Sequence, residues 1–189
     1  MGVKRPAYRS LAALLRRELT RDEDPQTQTL IRRLIHVRSR RQFSRAEFLL
    51  MCRWKSPRAM HHYRRNSTAR IRSVSREMLG TRDERRRIEL LTGLRGVSVP
   101  IASSILTLID PGRYGVLDIR VWQLLWALDV VGSKPGGRGF NADDWQQYLA
   151  ALRRHARQLG VSVRAVEYTL FQCHRKWQTG RLYDRREKR

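Results

Sequence analysis

The carboxylate of Asp118 stands among Val116, Leu117, Ile119 and Val121 in the stretch VLDIRVW. An acid with apolar neighbours loses part of its hydration. That pushes its pKa up and suits it to stabilise a developing positive charge or to take a proton from water. Its plainest role is structural, as the cap of a helix formed by IRVWQLLWAL. The two roles are compatible, because one oxygen can cap while the other faces a substrate. Upstream, LRGVSVPIASSIL (94–106) carries no charge after Arg95, in a chain whose formal net charge is +23. It reads as a glycine turn between two helices. The unpaired N–H groups of a helix N-terminus suit a phosphate oxygen, and glycine lets a nucleic acid backbone come close. Gly96, Val97, Ser98 and Val99 are therefore the expected DNA contacts, made through amides rather than charged side chains.

A third stretch, WKSPR (54–58), puts an aromatic, an amine and a guanidinium beside a helix break at Pro57. Lys55 and Arg58 are expected phosphate contacts. Lys55 is also an amine able to form a Schiff base with an abasic site. Trp54 and Tyr63 are candidates to stack on an extruded base or to wedge into the gap it leaves, with core packing as the competing role.

The composition limits the partner. Forty Lys and Arg stand against 17 acids, and only five of the forty are Lys. Such a charge points to a polyanion, with nucleic acid first. A structural RNA-binding protein would satisfy the same charge. With two cysteines a disulfide framework is not expected and a four-cysteine metal site is impossible within one chain, and none of the five histidines stands at a recognised metal-ligand spacing. No metal and no cofactor are expected. No apolar run reaches the roughly 18 residues that span a bilayer. The basic, interrupted N-terminus is wrong for a secretory signal and only permits an organelle-targeting reading. A bacterial-type cytoplasm, close to DNA, and a monomer are expected.

The elements that must position these residues read as helices almost throughout, in one unit over 1–189. Leu11, Leu14, Leu15 and Leu19 mark one helix; Leu30, Ile31, Leu34 and Ile35 mark a second, with Pro25 in its first turn. SRAE (44–47) and TRDE (81–84) read as capping boxes. Helices are expected over Val99 to Ile109, from Asp118 to about Leu128, and twice more over 141–178. GSKPGGRG (132–139) is the one flexible loop, and RLYDRREKR (181–189) a frayed tail. Trp122, Trp126, Trp145 and Trp177 read as packing residues, His61 and His62 as a solvated face, Asn66 as an N-cap, and Glu167 as the partner of an arginine. Residues 38–76 hold twelve Lys or Arg and one acid, Glu47. Such a run is either a solvated face or a surface that holds DNA phosphates.

On these residues the chain resembles the helix-hairpin-helix (HhH-GPD) superfamily of base-excision DNA glycosylases, whose hairpin runs roughly L-P-G-V-G-x-x-T-A. Leu94, Gly96, Val97 and Ala102 fall on that pattern. DPGRYGVLDIRVW is similar to the family's Gly/Pro-rich loop and V-D-T-H-V type segment, with Leu117, Asp118 and Val121 in register. The acid falls about 18 residues after Pro100, the position preceding the T-A pair. The resemblance covers roughly 82–129: hairpin over 82–109, acid loop and helix over 110–129. It implies a two-lobed, all-α DNA glycosylase with Asp118 as catalytic acid, acting on a base flipped out of double-stranded DNA. Ser98 replaces the hairpin's second glycine, which predicts a tighter or shifted turn. Pro100 stands where bifunctional members carry a lyase lysine, and the iron–sulfur cluster is missing. The resemblance therefore implies a monofunctional enzyme that uses water. Damaged bases and deliberately modified ones, as in phage DNA, are the candidate substrates, for base excision repair or antiviral defence. The alternative is a non-catalytic DNA-binding protein that kept the hairpin.

Overall fold

The computed structural model of the chain describes residues 2–179 and Leu182. The expected frayed tail lies largely outside the described residues. The architecture is all-α: α1 (Leu11–Glu18), α2 (Pro25–Leu34), α3 (Val37–Arg40), α4 (Arg45–Lys55), α5 (Met60–Tyr63), α6 (Thr68–Gly80), α7 (Glu84–Thr92), α8 (Val99–Ile109), α9 (Ile119–Ala127), α10 (Ala142–Leu159) and α11 (Val163–Trp177). A 3₁₀ turn (Pro57–Ala59) joins α4 to α5. The strand pairing among the described residues is a two-residue antiparallel bridge, in which Gly2–Val3 lies against Gln178–Thr179.

Local chemistry explains the helix starts. Ser44 and Glu47 form the expected capping box. Asn141 and Asp144 form a second. The other expected box, TRDE, does not form. Asp83 caps α7 instead, accepting from the N–H groups of Arg85 and Arg86. Thr81 is two positions too early, and its hydroxyl accepts from Asp83 N. Nor is Asn66 an N-cap: Ser67 caps α6, which frees Asn66 for the role described below.

The centre of the molecule is α8. Every residue of α8 except Pro100 is buried, and α4, α7 and α2 all pack against it. A helix that is apolar all round belongs in a core. This corrects the reading of LRGVSVPIASSIL. Residues 99–109 lack charge because they are largely interior, and only the turn and the first turn of α8 face outward. On the other side α9 packs on α11, and α10 on α11 and α7. Trp122 and Trp145 are fully buried, as expected, whereas Trp126 is 40% exposed and is not a core residue. Trp177 packs edge-on against Tyr8. The Trp122 indole N–H donates to the carbonyls of Ser133 and Lys134. That bond pins the glycine-rich loop onto α9, so the segment expected to be flexible is anchored. No helix among the described residues is long and apolar enough to cross a membrane.

Candidate functional site

The turn between α7 and α8 is shaped by one glycine. Gly96 has φ +82, a conformation L side chains resist, and a Cβ there would lie 2.6 Å from His62 Cβ. Ser98, at φ −88 and ψ 169, adopts ordinary extended backbone. Serine in place of the second glycine therefore costs no strain, and the expected tightening of the turn is not needed. Asn66 clamps the turn. Its Oδ1 accepts from Arg95 N at 2.8 Å, and its Nδ2 donates to the carbonyls of Arg95 and Tyr63 at 3.0 and 2.9 Å. Gly96 and Ser98 are exposed, while Val97 and Val99 are buried and anchor the turn from beneath.

The start of α8 is chemically open. Ser98 makes no side-chain cap hydrogen bond and Pro100 has no N–H, whereas side chains cap α1, α2, α4, α6, α7, α9, α10 and α11. The first-turn amides of α8 are thus left to an outside acceptor, and the helix dipole favours a negative one.

The acid loop between α8 and α9 is fastened at several points. Leu117 N donates to Ser103 Oγ of α8 at 2.9 Å, and the Tyr148 hydroxyl donates to Val116 O at 2.7 Å. The amides of Val163 and Arg164, opening α11, donate to Gly112 O and Pro111 O. Gly115 admits the loop against α11, since a Cβ there would sit 2.7 Å from Glu167 Cβ. The result is that Asp118 projects into a cavity of about 1020 Å³ which Ser98, Pro100 and Ile101 of α8 also line. That is at the top of the roughly 300–1,000 Å³ typical of ligand sites. Hairpin and acid share one space.

Asp118 does cap α9: its Oδ1 accepts from Arg120 N at 2.9 Å. Its Oδ2 receives the ammonium of Lys55 at 2.5 Å, from the last residue of α4. The ends complement each other, with a cation at one helix C-terminus and an anion at the other's N-terminus. Both side chains are largely withdrawn from solvent, at 18% and 12% exposure. Burial alone would raise the Asp118 pKa, as expected from its apolar neighbours. The Lys55 charge and hydrogen bond, with the Arg120 amide, outweigh it and hold the carboxyl below its usual range. The expected upward shift is therefore reversed, and the acid is an ionised carboxylate at neutral pH.

The remaining walls are aromatic and cationic. Trp54 lines the cavity and donates its indole N–H to Thr27 Oγ1 at 3.1 Å. Arg164 lies 5.8 Å from the Trp54 ring and 4.9 Å from that of Tyr168, and its guanidinium is held by Glu23 and Glu167. Glu167 is buried and paired with that arginine, as expected. Arg120 lies over Phe171 at 4.9 Å, and its Nε has no hydrogen-bond partner among the described residues.

The structure thus brings Asp118, Lys55, Trp54 and Ser98 to one cavity. Five expected members do not line it: Gly96, Val97 and Val99 stay in or under the turn, with both valine side chains buried, and Tyr63 and Arg58 are elsewhere. Tyr63 is fully buried, its ring edge-on to Phe48 beneath the hairpin, so it cannot stack on or wedge beside a base. Arg58 is exposed on the 3₁₀ turn outside the cavity.

No family model, curated protein or solved structure matches this chain.

The cavity's contributors from α2 and α11 were missed in the sequence. Thr27 sits in the first turn of α2, and Arg164 and Tyr168 lie about 50 residues beyond Asp118, so only tertiary packing brings them together. The available signal was the Arg164–Glu167 spacing of three on one helix face. Among the described residues no group of three or more His, Cys, Asp or Glu side chains is placed to hold a metal.

Proposed function

We propose that this chain is a DNA glycosylase of HhH-GPD type, which hydrolyses the N-glycosidic bond of a damaged or modified base flipped out of duplex DNA. The observation that carries the reading is the convergence of an ionised, helix-capping Asp118 with the uncapped start of α8 in one cavity. Cleavage leaves the sugar with oxocarbenium character, and a fixed carboxylate stabilises that charge and orients the attacking water. The amides of the turn hold a phosphate of the same strand, and Trp54, Tyr168 and Phe171 offer faces to the extruded base. Pro100 supplies no amine, so the hairpin itself supports only a monofunctional, hydrolytic reaction. The roomy cavity favours a nucleotide bearing a bulky base, which keeps deliberately modified phage-type bases beside ordinary lesions.

A second reading is favoured by the Lys55 contact. The pair occupies the second carboxylate oxygen, as a structural ion pair in a non-catalytic duplex-binding protein would. One experiment separates the two. Duplexes carrying alkylated, oxidised, deaminated and virally modified bases are incubated with wild type and Asp118→Asn, and released bases are identified by mass. Release by wild type, reduced at least about a hundredfold in Asp118→Asn, is expected. Undiminished release by the variant sinks the mechanism, and tight duplex binding with no release from any substrate leaves the second reading.

A further inference from the structure

We infer that Lys55 captures the abasic product as a Schiff base and cleaves the strand, giving the chain a lyase step supplied from α4 rather than from the hairpin. This rests on the proposed base removal for its substrate. The geometry points to it in three ways. The Lys55 Nζ lies 2.5 Å from Asp118 Oδ2, the carboxylate assigned to the sugar. Lys55 and Pro100 line the same cavity, so the amine that the hairpin lacks reaches the shared space from another wall. The other lysines within the described residues are placed elsewhere: Lys134 is paired with Asp144 and Lys176 with Glu18, and neither they nor Lys4 line the cavity.

The partner carboxylate also balances the chemistry. The Lys55 ammonium passes a proton to Asp118, and the freed amine adds its lone pair to C1′ of the ring-opened abasic sugar. The C=O π pair moves onto the oxygen, which takes a proton from the newly bonded nitrogen to give the carbinolamine. Protonated Asp118 returns that proton to the carbinolamine hydroxyl, which leaves as water, and a C1′–N iminium forms. The carboxylate then takes a C2′ proton. The C–H electron pair becomes the C2′–C3′ double bond, and the 3′ phosphate departs with the C3′–O pair. Asp118 gives the C2′ proton to the departing phosphate, and water hydrolyses the iminium, releasing an unsaturated aldehyde and restoring the lysine ammonium. No oxidant, reductant or further co-reactant is consumed, and the ion pair seen before substrate enters is the form to which the site returns.

The test uses the full chain and a duplex whose abasic site is made beforehand, so its outcome does not depend on base release. Borohydride reduces any iminium to a stable amine and fixes protein to DNA. Wild type is expected to give a covalent adduct that peptide mapping assigns to Lys55, with strand cleavage when borohydride is omitted. Lys55→Arg keeps a cation against Asp118, and therefore the fold, but has no amine to condense. It should lose at least nine-tenths of both signals. The inference is overturned by absence of a wild-type adduct, by an adduct mapped to another amine, or by Lys55→Arg trapping as efficiently as wild type. None of these results would touch the base-release reading, which stands or falls on Asp118→Asn.

Discussion

His174 is buried in α11 with its Nε2 on Gln123 Oε1 at 2.9 Å. Burial, with the nearby Arg120 charge, pulls its pKa down to about 4, opposed in part by Asp118. The unfolded chain holds that proton near pH 6.5, so between the two values the unfolded state binds more protons. Stability should therefore be intact above about pH 6.5, fall as the pH drops towards 4, and then level for this group. The loss is on the order of 2–3 kcal/mol. Thermal unfolding of wild type and His174→Gln over pH 7 to 4 checks this, and parallel curves would contradict it. At this scale the sequence was only partly legible. Asp118 and the exposed turn could be read from local pattern. The pairing of Lys55 with Asp118 could not, because it joins residues 63 apart and reverses the pKa direction that the local neighbours imply. Tyr63 misled for the same reason: its neighbours His61 and His62 are exposed while its own ring points inward.

Among elements, the α7–α8 hairpin is held by contacts from α5 and from the turn before α6. Gly96→Ala would put a methyl against His62 at a backbone angle that alanine resists. The expected cost is about 1–3 kcal/mol of stability and a weaker hold on duplex DNA. Urea unfolding and a duplex-binding titration measure the two, and a variant unchanged in both would remove the turn from the DNA site. The helices themselves were legible because their periodicity and caps are local: SRAE formed as a capping box and Pro25 stands in the first turn of α2. TRDE failed because Asp83 competes for the same orphan amides and wins from a better position. The absence of charge in α8 has a global cause, burial among three other helices, which a reading of neighbouring residues mistakes for a property of the hairpin alone.

For the whole molecule, charge is the dominant variable. Glu84 alone draws Arg87, Arg113 and Arg153. By contrast Arg58, Arg64, Arg65, Arg70 and Arg72 make no ion pair among the described residues. Arg16, Arg33 and Arg157, away from the hairpin, make none either, so unpaired positive charge is spread widely over the surface and includes the side beside the hairpin. Duplex affinity should fall steeply with salt, and the double substitution Arg64→Ala, Arg65→Ala should reduce the slope of log K against log salt by about 2. An unchanged slope would place the DNA on another face. Net charge was legible from composition, but which arginines stay unpaired depends on the fold.

The two ends of the described chain build one wall. Gly2–Val3 pairs with Gln178–Thr179, Thr20 N bonds to Thr169, and Glu23 and Glu18 reach Arg164 and Lys176. During synthesis, therefore, the apolar face of Leu11, Leu14 and Leu15 leaves the ribosome about 150 residues before α11, the helix it packs against. The first helix must wait, uncovered, for the last. At ribosomal speeds of about 5–20 residues per second that delay is on the order of ten seconds, long enough to make the nascent chain a client for a holding chaperone.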